Sequence, residues 1–153
     1  YPRIRLISLG KDEIADGSVA AIATDYLEQA GFSVELYHPM ADELHGTADL
    51  DPQRLTLYLA NYEHASNQTT VRIGWCQKHA LDIPRFLNEE PCVFVSFANP
   101  YHLQDVPRVR TYINAYTATR TTIEKTLDKL MGLSGFTGVS PVDAFCGLPD
   151  THY

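Results

Sequence analysis

The sequence is short of the residues that build several protein classes. Among 153 residues there are three cysteines (Cys76, Cys92 and Cys146), one tryptophan and two methionines. Three widely spaced thiols make no disulfide framework. Cys76 and Cys92 sit among apolar residues, where a buried free thiol is the plain reading. That leans toward a reducing, cytoplasmic setting. Secretion stays open, because Tyr1-Pro2-Arg3-Ile4 lacks an initiator methionine and runs straight into a β-rich stretch. The chain is therefore expected to be a piece of a longer polypeptide. No stretch approaches the ~20 apolar residues of a membrane helix. Positive charge is scarce too: 12 Lys and Arg stand against 19 Asp and Glu, for a net charge of −7. Such a surface repels phosphate backbones and anionic lipid, so neither nucleic acid nor membrane is an expected partner.

Several chemical signatures are missing as well. There is no Gly-x-Gly-x-x-Gly or phosphate loop, which disfavours nucleotide cofactors. No Gly-x-Ser-x-Gly elbow marks a serine hydrolase. The six histidines form no His-x-x-His pair, so no metal is expected. The acidic Gly10-Lys11-Asp12-Glu13 after the first strand argues against a flavin- or phosphate-binding fold.

What is present is a strand–helix alternation. Hydrophobic residues make up 44%, enough for a full core at this length. Ile4–Leu9 reads as a strand. Val19, Ile22, Ala23, Tyr26, Leu27 and Ala30 recur at helical spacing, with Ser18 as cap and Gly31 past the end. Phe32–Tyr37 follows as a second strand, which makes a right-handed βαβ unit with a parallel pair. Leu55–Ala60 is a near-continuous apolar run, as for a strand covered on both faces. Val71–Leu81 has helical spacing, and Cys92–Phe97 is the strongest strand pattern. Asn99-Pro100-Tyr101 must turn, and Thr111–Tyr116 is a further strand. Thr121-Thr122-Ile123-Glu124 has the form of a capping box opening a last helix that Gly132 ends. Arg108, Arg110, Arg120, Lys125 and Lys129 read as a solvated face, and Trp75 as a core or interface anchor. Residues 133–153 are aperiodic but carry Phe136, Val139, Val142, Phe145 and Leu148. They are expected to lie across the domain or against a partner. The fold class is α/β: one doubly wound sandwich over residues 1–153 around a mostly parallel sheet of five to six strands.

Ligands of such sheets gather at the strand carboxyl ends. The richest loop there is Asn61–Thr70, whose amides, hydroxyls, phenol and carboxylate suit sugar hydroxyls. A helix cap by Ser66 or Asn67 accounts for part of the same pattern. Glu63-His64 is the one carboxylate–imidazole neighbour in that loop, a candidate for general acid/base work. Asn61, Tyr62, Ser66, Asn67, Thr69, Asn99 and Tyr101 are candidate sugar contacts. Asn67-Gln68-Thr69 is a formal glycosylation sequon, taken as chance.

Two longer stretches carry a resemblance. They are Val93-Phe94-Val95-Ser96-Phe97-Ala98-Asn99-Pro100-Tyr101-His102-Leu103 and Val106-Pro107-Arg108-Val109-Arg110-Thr111-Tyr112-Ile113-Asn114-Ala115-Tyr116. With the helix Ile123–Gly132 and the strap Gly138-Val139-Ser140-Pro141-Val142, they resemble the C-terminal domain of family 3 glycoside hydrolases. The β-N-acetylhexosaminidase-like branch is the most similar. The resemblance covers most of residues 55–145; the first part matches in topology. It implies a retaining glycosidase of cell-wall recycling acting on β-linked N-acetylglucosamine-type sugars. Its nucleophilic Asp and its His–Asp acid/base pair would sit on an N-terminal TIM barrel of the same polypeptide, about 250 residues long. In the glucosidase branch an acidic segment supplies the acid/base carboxylate. Here Ser66-Asn67-Gln68-Thr69-Thr70-Val71-Arg72 stands in its place, and Glu63 is the remaining neighbour. The implied role is a partner domain without the bond-breaking residues. The alternatives are a stand-alone carbohydrate-binding module, or a domain lending an acid/base carboxylate.

Overall fold

The computed structural model describes residues 1–10, 17–37, 50–63, 72–75, 83–84 and 87–148. Five strands, β1 (Arg3–Gly10), β2 (Ser33–Tyr37), β3 (Arg54–Asn61), β4 (Cys92–Ser96) and β5 (Tyr112–Asn114), form one sheet in the order β2-β1-β3-β4-β5. Every pairing is parallel. The chain starts in the middle, winds outward one way through helix α1 (Val19–Gln29), then the other way through β3, β4 and β5. Helix α2 (Arg120–Leu130) returns to pack on α1.

Strand alternation divides the core in two. On the helix face Leu6, Leu57, Leu59, Val95 and Phe97 meet Val19, Ala23, Leu27, Ile123 and Leu127. On the other face Ile7, Leu9, Tyr58, Ala60 and Phe94 are covered by Ile73, Val106, Val109 and Trp75. Trp75 is thus a core anchor. The register sets Tyr58, Phe94 and Tyr112 side by side on three strands. Their rings stack at 5.8 and 5.6 Å between centroids.

Local chemistry sets the helix ends. The Ser18 hydroxyl accepts from Ala21 N–H. Beyond Ala30, Gly31 takes φ +93°, and Gly31 N–H and Phe32 N–H bond back to Glu28 O and Leu27 O. This closure needs a left-handed residue and therefore favours glycine. The same pattern closes α2 at Gly132.

Three local expectations need correcting. The cap of α2 is Thr119, not the Thr121-led box; its extended backbone lets Oγ1 accept from Thr122 N–H at 3.2 Å. Strand β5 is shorter than Thr111–Tyr116, because Tyr116 adopts φ +64° and leaves the extended region. Helical spacing from Val71 fails over 72–75, which are not helical: Ile73 N–H is taken by a side chain far along the sequence. The remainder of Val71–Leu81 lies outside the described residues. The basic residues of α2 are engaged. Arg120 pairs with Glu124, Lys125 with Asp128, and Lys129 donates to Gly135 O.

Candidate functional site

Strands β3, β4 and β5 end at Asn61, Ser96 and Asn114 on one edge of the sheet. After β4 the sequence folds back at once. Asn99 is extended, at φ −151° and ψ 150°, and its Oδ1 accepts Tyr101 N–H at 3.0 Å. Pro100 follows in the first turn, where its missing N–H costs nothing. The resulting 3-10 turn, η1 (Pro100–Asp105), carries His102 back beneath the strand ends.

There a closed hydrogen-bond ring forms. The Ser96 hydroxyl donates to Asn99 O at 2.6 Å, so its single proton is spent. His102 Nδ1, 2.8 Å away, must then donate to Ser96 Oγ. Nε2 is left with a lone pair, which accepts from Asn99 Nδ2 at 3.1 Å. The second Nδ2 proton goes to Tyr62 O, also at 3.1 Å. Every polar atom of the Asn99 side chain is used, which offsets the cost of burying it. His102 is fully buried. Burial pushes its imidazole below the usual histidine range, while Asp105 and the Tyr62 carbonyl pull the other way. The ring is uncharged at neutral pH, with both nitrogens committed. Tyr62 meets it edge to face at 6.2 Å. Beside it Tyr112 donates to Pro100 O, and burial pushes its phenol well above the ordinary value.

The last residue of η1 ties in a further segment. Asp105 Oδ2 accepts Ile73 N–H at 3.0 Å, and Oδ1 pairs with the Arg72 guanidinium. Tyr62 Oη donates to Gly74 O at 3.1 Å. A Cβ on Gly74 would stand 2.9 Å from that phenol oxygen, closer than side-chain atoms tolerate.

The edge therefore gathers Asn61, Tyr62, Glu63, Asn99 and Tyr101, five of the residues singled out from the sequence. Their states differ. Tyr62 and Asn99 spend their polar atoms on the protein itself. Asn61 is half-buried, and its Oδ1 has no partner among the described residues. Glu63 and Tyr101 are exposed. His64, Ser66, Asn67 and Thr69 lie outside the described residues. Asp105 escaped the sequence reading because its partners are distant in sequence, and Ser96 and His102 because no local pattern tells which hydroxyl an imidazole will meet. The one local signal was Asn99-Pro100, a cap followed by a first-turn proline. Tyr116 was also missed: its left-handed backbone is rare for a non-glycine residue, and its hydroxyl bonds Ser140 Oγ at 2.8 Å.

Elsewhere, a groove of about 750 Å³ runs between β5, α2 and residues 136–140, lined by Ile113, Lys125, Lys129 and Phe136 among others. The strap is open at Val139, 91% exposed, and Leu133 ahead of it is 71% exposed. Among the described residues no cluster of three metal-ligating side chains occurs, and no helix is long and apolar enough to cross a membrane.

Fold and site together define a doubly wound α/β domain with a polar edge at the carboxyl ends of its strands. No family model matches the chain. It is 43% identical over 164 aligned positions to a β-N-acetylglucosaminidase/β-glucosidase of Cellulomonas fimi, covering 99% of this chain and 28% of that protein. The solved structure of β-glucoside phosphorylase BglX superposes with a TM-score of 0.80 at 40% identity, over 98% of this chain and 27% of that one. A fungal multi-domain family 3 β-N-acetylglucosaminidase shares the fold alone, with a TM-score of 0.54 at 12% identity. The chain belongs to the C-terminal α/β domains of the family 3 glycoside hydrolases. It spans just over a quarter of the length of the relatives it matches.

Proposed function

We propose that this chain, as one sandwich domain over residues 1–153, is the partner domain of a retaining enzyme cleaving β-linked N-acetylglucosamine-type sugars. A TIM barrel of the same polypeptide would carry the bond-breaking residues. The observation that supports it most is the state of the carboxylates at the ligand-binding edge. Retaining chemistry needs a nucleophilic carboxylate and an acid/base group held a few ångströms apart. Glu63 is exposed there, but Asp105 is buried and bound on both oxygens. The imidazole beside them, His102, has no lone pair or proton to spare. This edge can hold sugar hydroxyls through Asn61, Glu63 and Tyr101, yet it offers no second free catalytic group among the described residues. The two relatives of about 40% identity bear names for glucoside and N-acetylglucosaminide chemistry, which supports a gluco-configured substrate. The exposed apolar residues Leu133, Phe136 and Val139, before and within the strap, form the surface that would pack against the barrel.

The test is turnover of 4-nitrophenyl N-acetyl-β-glucosaminide and of the matching β-glucoside, with and without inorganic phosphate. The reading expects the long polypeptide to be active, with the glucosaminide preferred, and the 153-residue chain to be inert. Turnover by the short chain that is abolished in Glu63→Gln would overturn it and favour a domain that lends an acid/base carboxylate. A stand-alone sugar-binding module is the second reading, favoured by Tyr101, 42% exposed at the strand ends. Titration calorimetry of the short chain with millimolar N-acetylglucosamine separates the two: a saturable heat supports the module.

A further inference from the structure

We propose that Asn99 and Asp105 are positioning residues: from the two ends of η1 they fix the chain entering and the chain leaving the loop after β3, and so orient Glu63 toward the sugar. The proposal deepens the reading above and rests on it.

The geometry at the entering side is specific. The carbonyl that Asn99 Nδ2 holds at 3.1 Å is that of Tyr62, so it belongs to the peptide unit that joins Tyr62 to Glu63. A peptide unit is planar. Holding its oxygen therefore fixes the direction in which Glu63 departs. Asn99 is itself held by Tyr101 N–H and by His102 Nε2, so it cannot turn without breaking the ring. On the leaving side Asp105 takes two consecutive residues, Arg72 through its guanidinium and Ile73 through its N–H. Tyr62 Oη joins the two sides by its bond to Gly74 O. Contacts spanning 37 and 32 positions in sequence are thus made by one six-residue turn and its cap. The Asp105 carboxylate is only 5% exposed, while the Arg72 side chain it holds is 60% exposed. The carboxylate therefore anchors a segment that is buried at Ile73 and exposed at Arg72. Its effect falls on where that segment lies.

The experiment uses the long polypeptide that carries this chain. Asn99→Ala and Asp105→Ala are assayed on the aryl glycoside, with melting temperature followed alongside. A group that only orients a substrate-binding arm acts on ground state and transition state alike. The expected result is a rise in KM of about tenfold or more with kcat changed by less than about threefold. Asp105→Asn keeps an acceptor for Ile73 N–H and is expected to recover most of the loss. Gly74→Ala, a change at an exposed position, pushes the Tyr62 phenol aside and is expected to raise KM without unfolding the protein. A fall in kcat alone that tracks melting temperature reports lost folded enzyme and overturns the proposal. So does an active wild type whose variants all keep KM within about twofold. A wild type inert toward both glycosides overturns the functional reading and this proposal with it.

Discussion

The two ends of the sheet solve the same burial problem with different proportions of charge. At the amino ends the parallel register lines up Arg5, Glu35 and Thr56 across three strands. Arg54 and Glu90 are each only 7% exposed, and Arg54 Nε donates to Glu90 Oε1 at 2.9 Å. Thr56 Oγ1 donates to the same oxygen at 2.8 Å, and Arg54 Nη1 reaches Glu35 at 3.3 Å. At the carboxyl ends the buried groups are a hydroxyl, an amide and an imidazole, with one carboxylate, Asp105, paired to an exposed arginine. Arg54 and Glu90 satisfy each other away from solvent, while Glu35 stays half-exposed at the rim. The clasp, mostly of uncharged groups, ties distant segments together while Glu63 and Tyr101 stay open to solvent.

Breaking the amino end should cost most. Glu90→Ala leaves the Arg54 guanidinium buried with a weakened partner set, and urea unfolding should show a loss of about 3–5 kcal/mol. A loss below about 1 kcal/mol would show that water reaches the pair. Next comes the clasp: Asn99→Ala strands His102 Nε2 and the Tyr62 carbonyl, for an expected 1–3 kcal/mol, roughly the cost of an unsatisfied buried group. The ends should also differ in acid. Because burial holds His102 below its unfolded value, the unfolded state binds the extra proton. Its contribution is intact above about pH 6.5, the unfolded histidine value, and declines as pH falls below it. Urea midpoints at pH 7.5 and 5.5 should diverge more in wild type than in His102→Gln. The smallest effect belongs to neither end. Glu124→Gln, which removes the exposed pair with Arg120 on α2, should stay within about 0.5 kcal/mol.

The amino-acid pattern told much of the sheet and little of the clasp, for a physical reason. β1, α1, β2, β3 and β4 rest on local periodicity and on caps such as Ser18 and Gly31, which act over a few residues. The apolar run Leu55–Ala60 needed cover on both faces, and both faces are covered. The clasp joins Asn99 to Tyr62, and Asp105 to Arg72 and Ile73, contacts between segments far apart in sequence that the fold alone brings together. Asn99-Pro100 announced a turn but not what the turn would hold. Glu63-His64 drew the eye as neighbours in sequence, whereas the imidazole that the fold sets beneath this edge is His102. The shortened β5 had no composition signal, since Tyr116 in a left-handed conformation looks like any strand tyrosine.

The central claim is that the covalent chemistry lies outside this domain. A 2-deoxy-2-fluoro glycoside with a good leaving group traps the nucleophile of a retaining enzyme as a stable ester. Peptide mass spectrometry of the trapped long polypeptide then locates the sugar. The account predicts a label on an aspartate outside residues 1–153; a label on Glu63, or on any carboxylate of this chain, contradicts it.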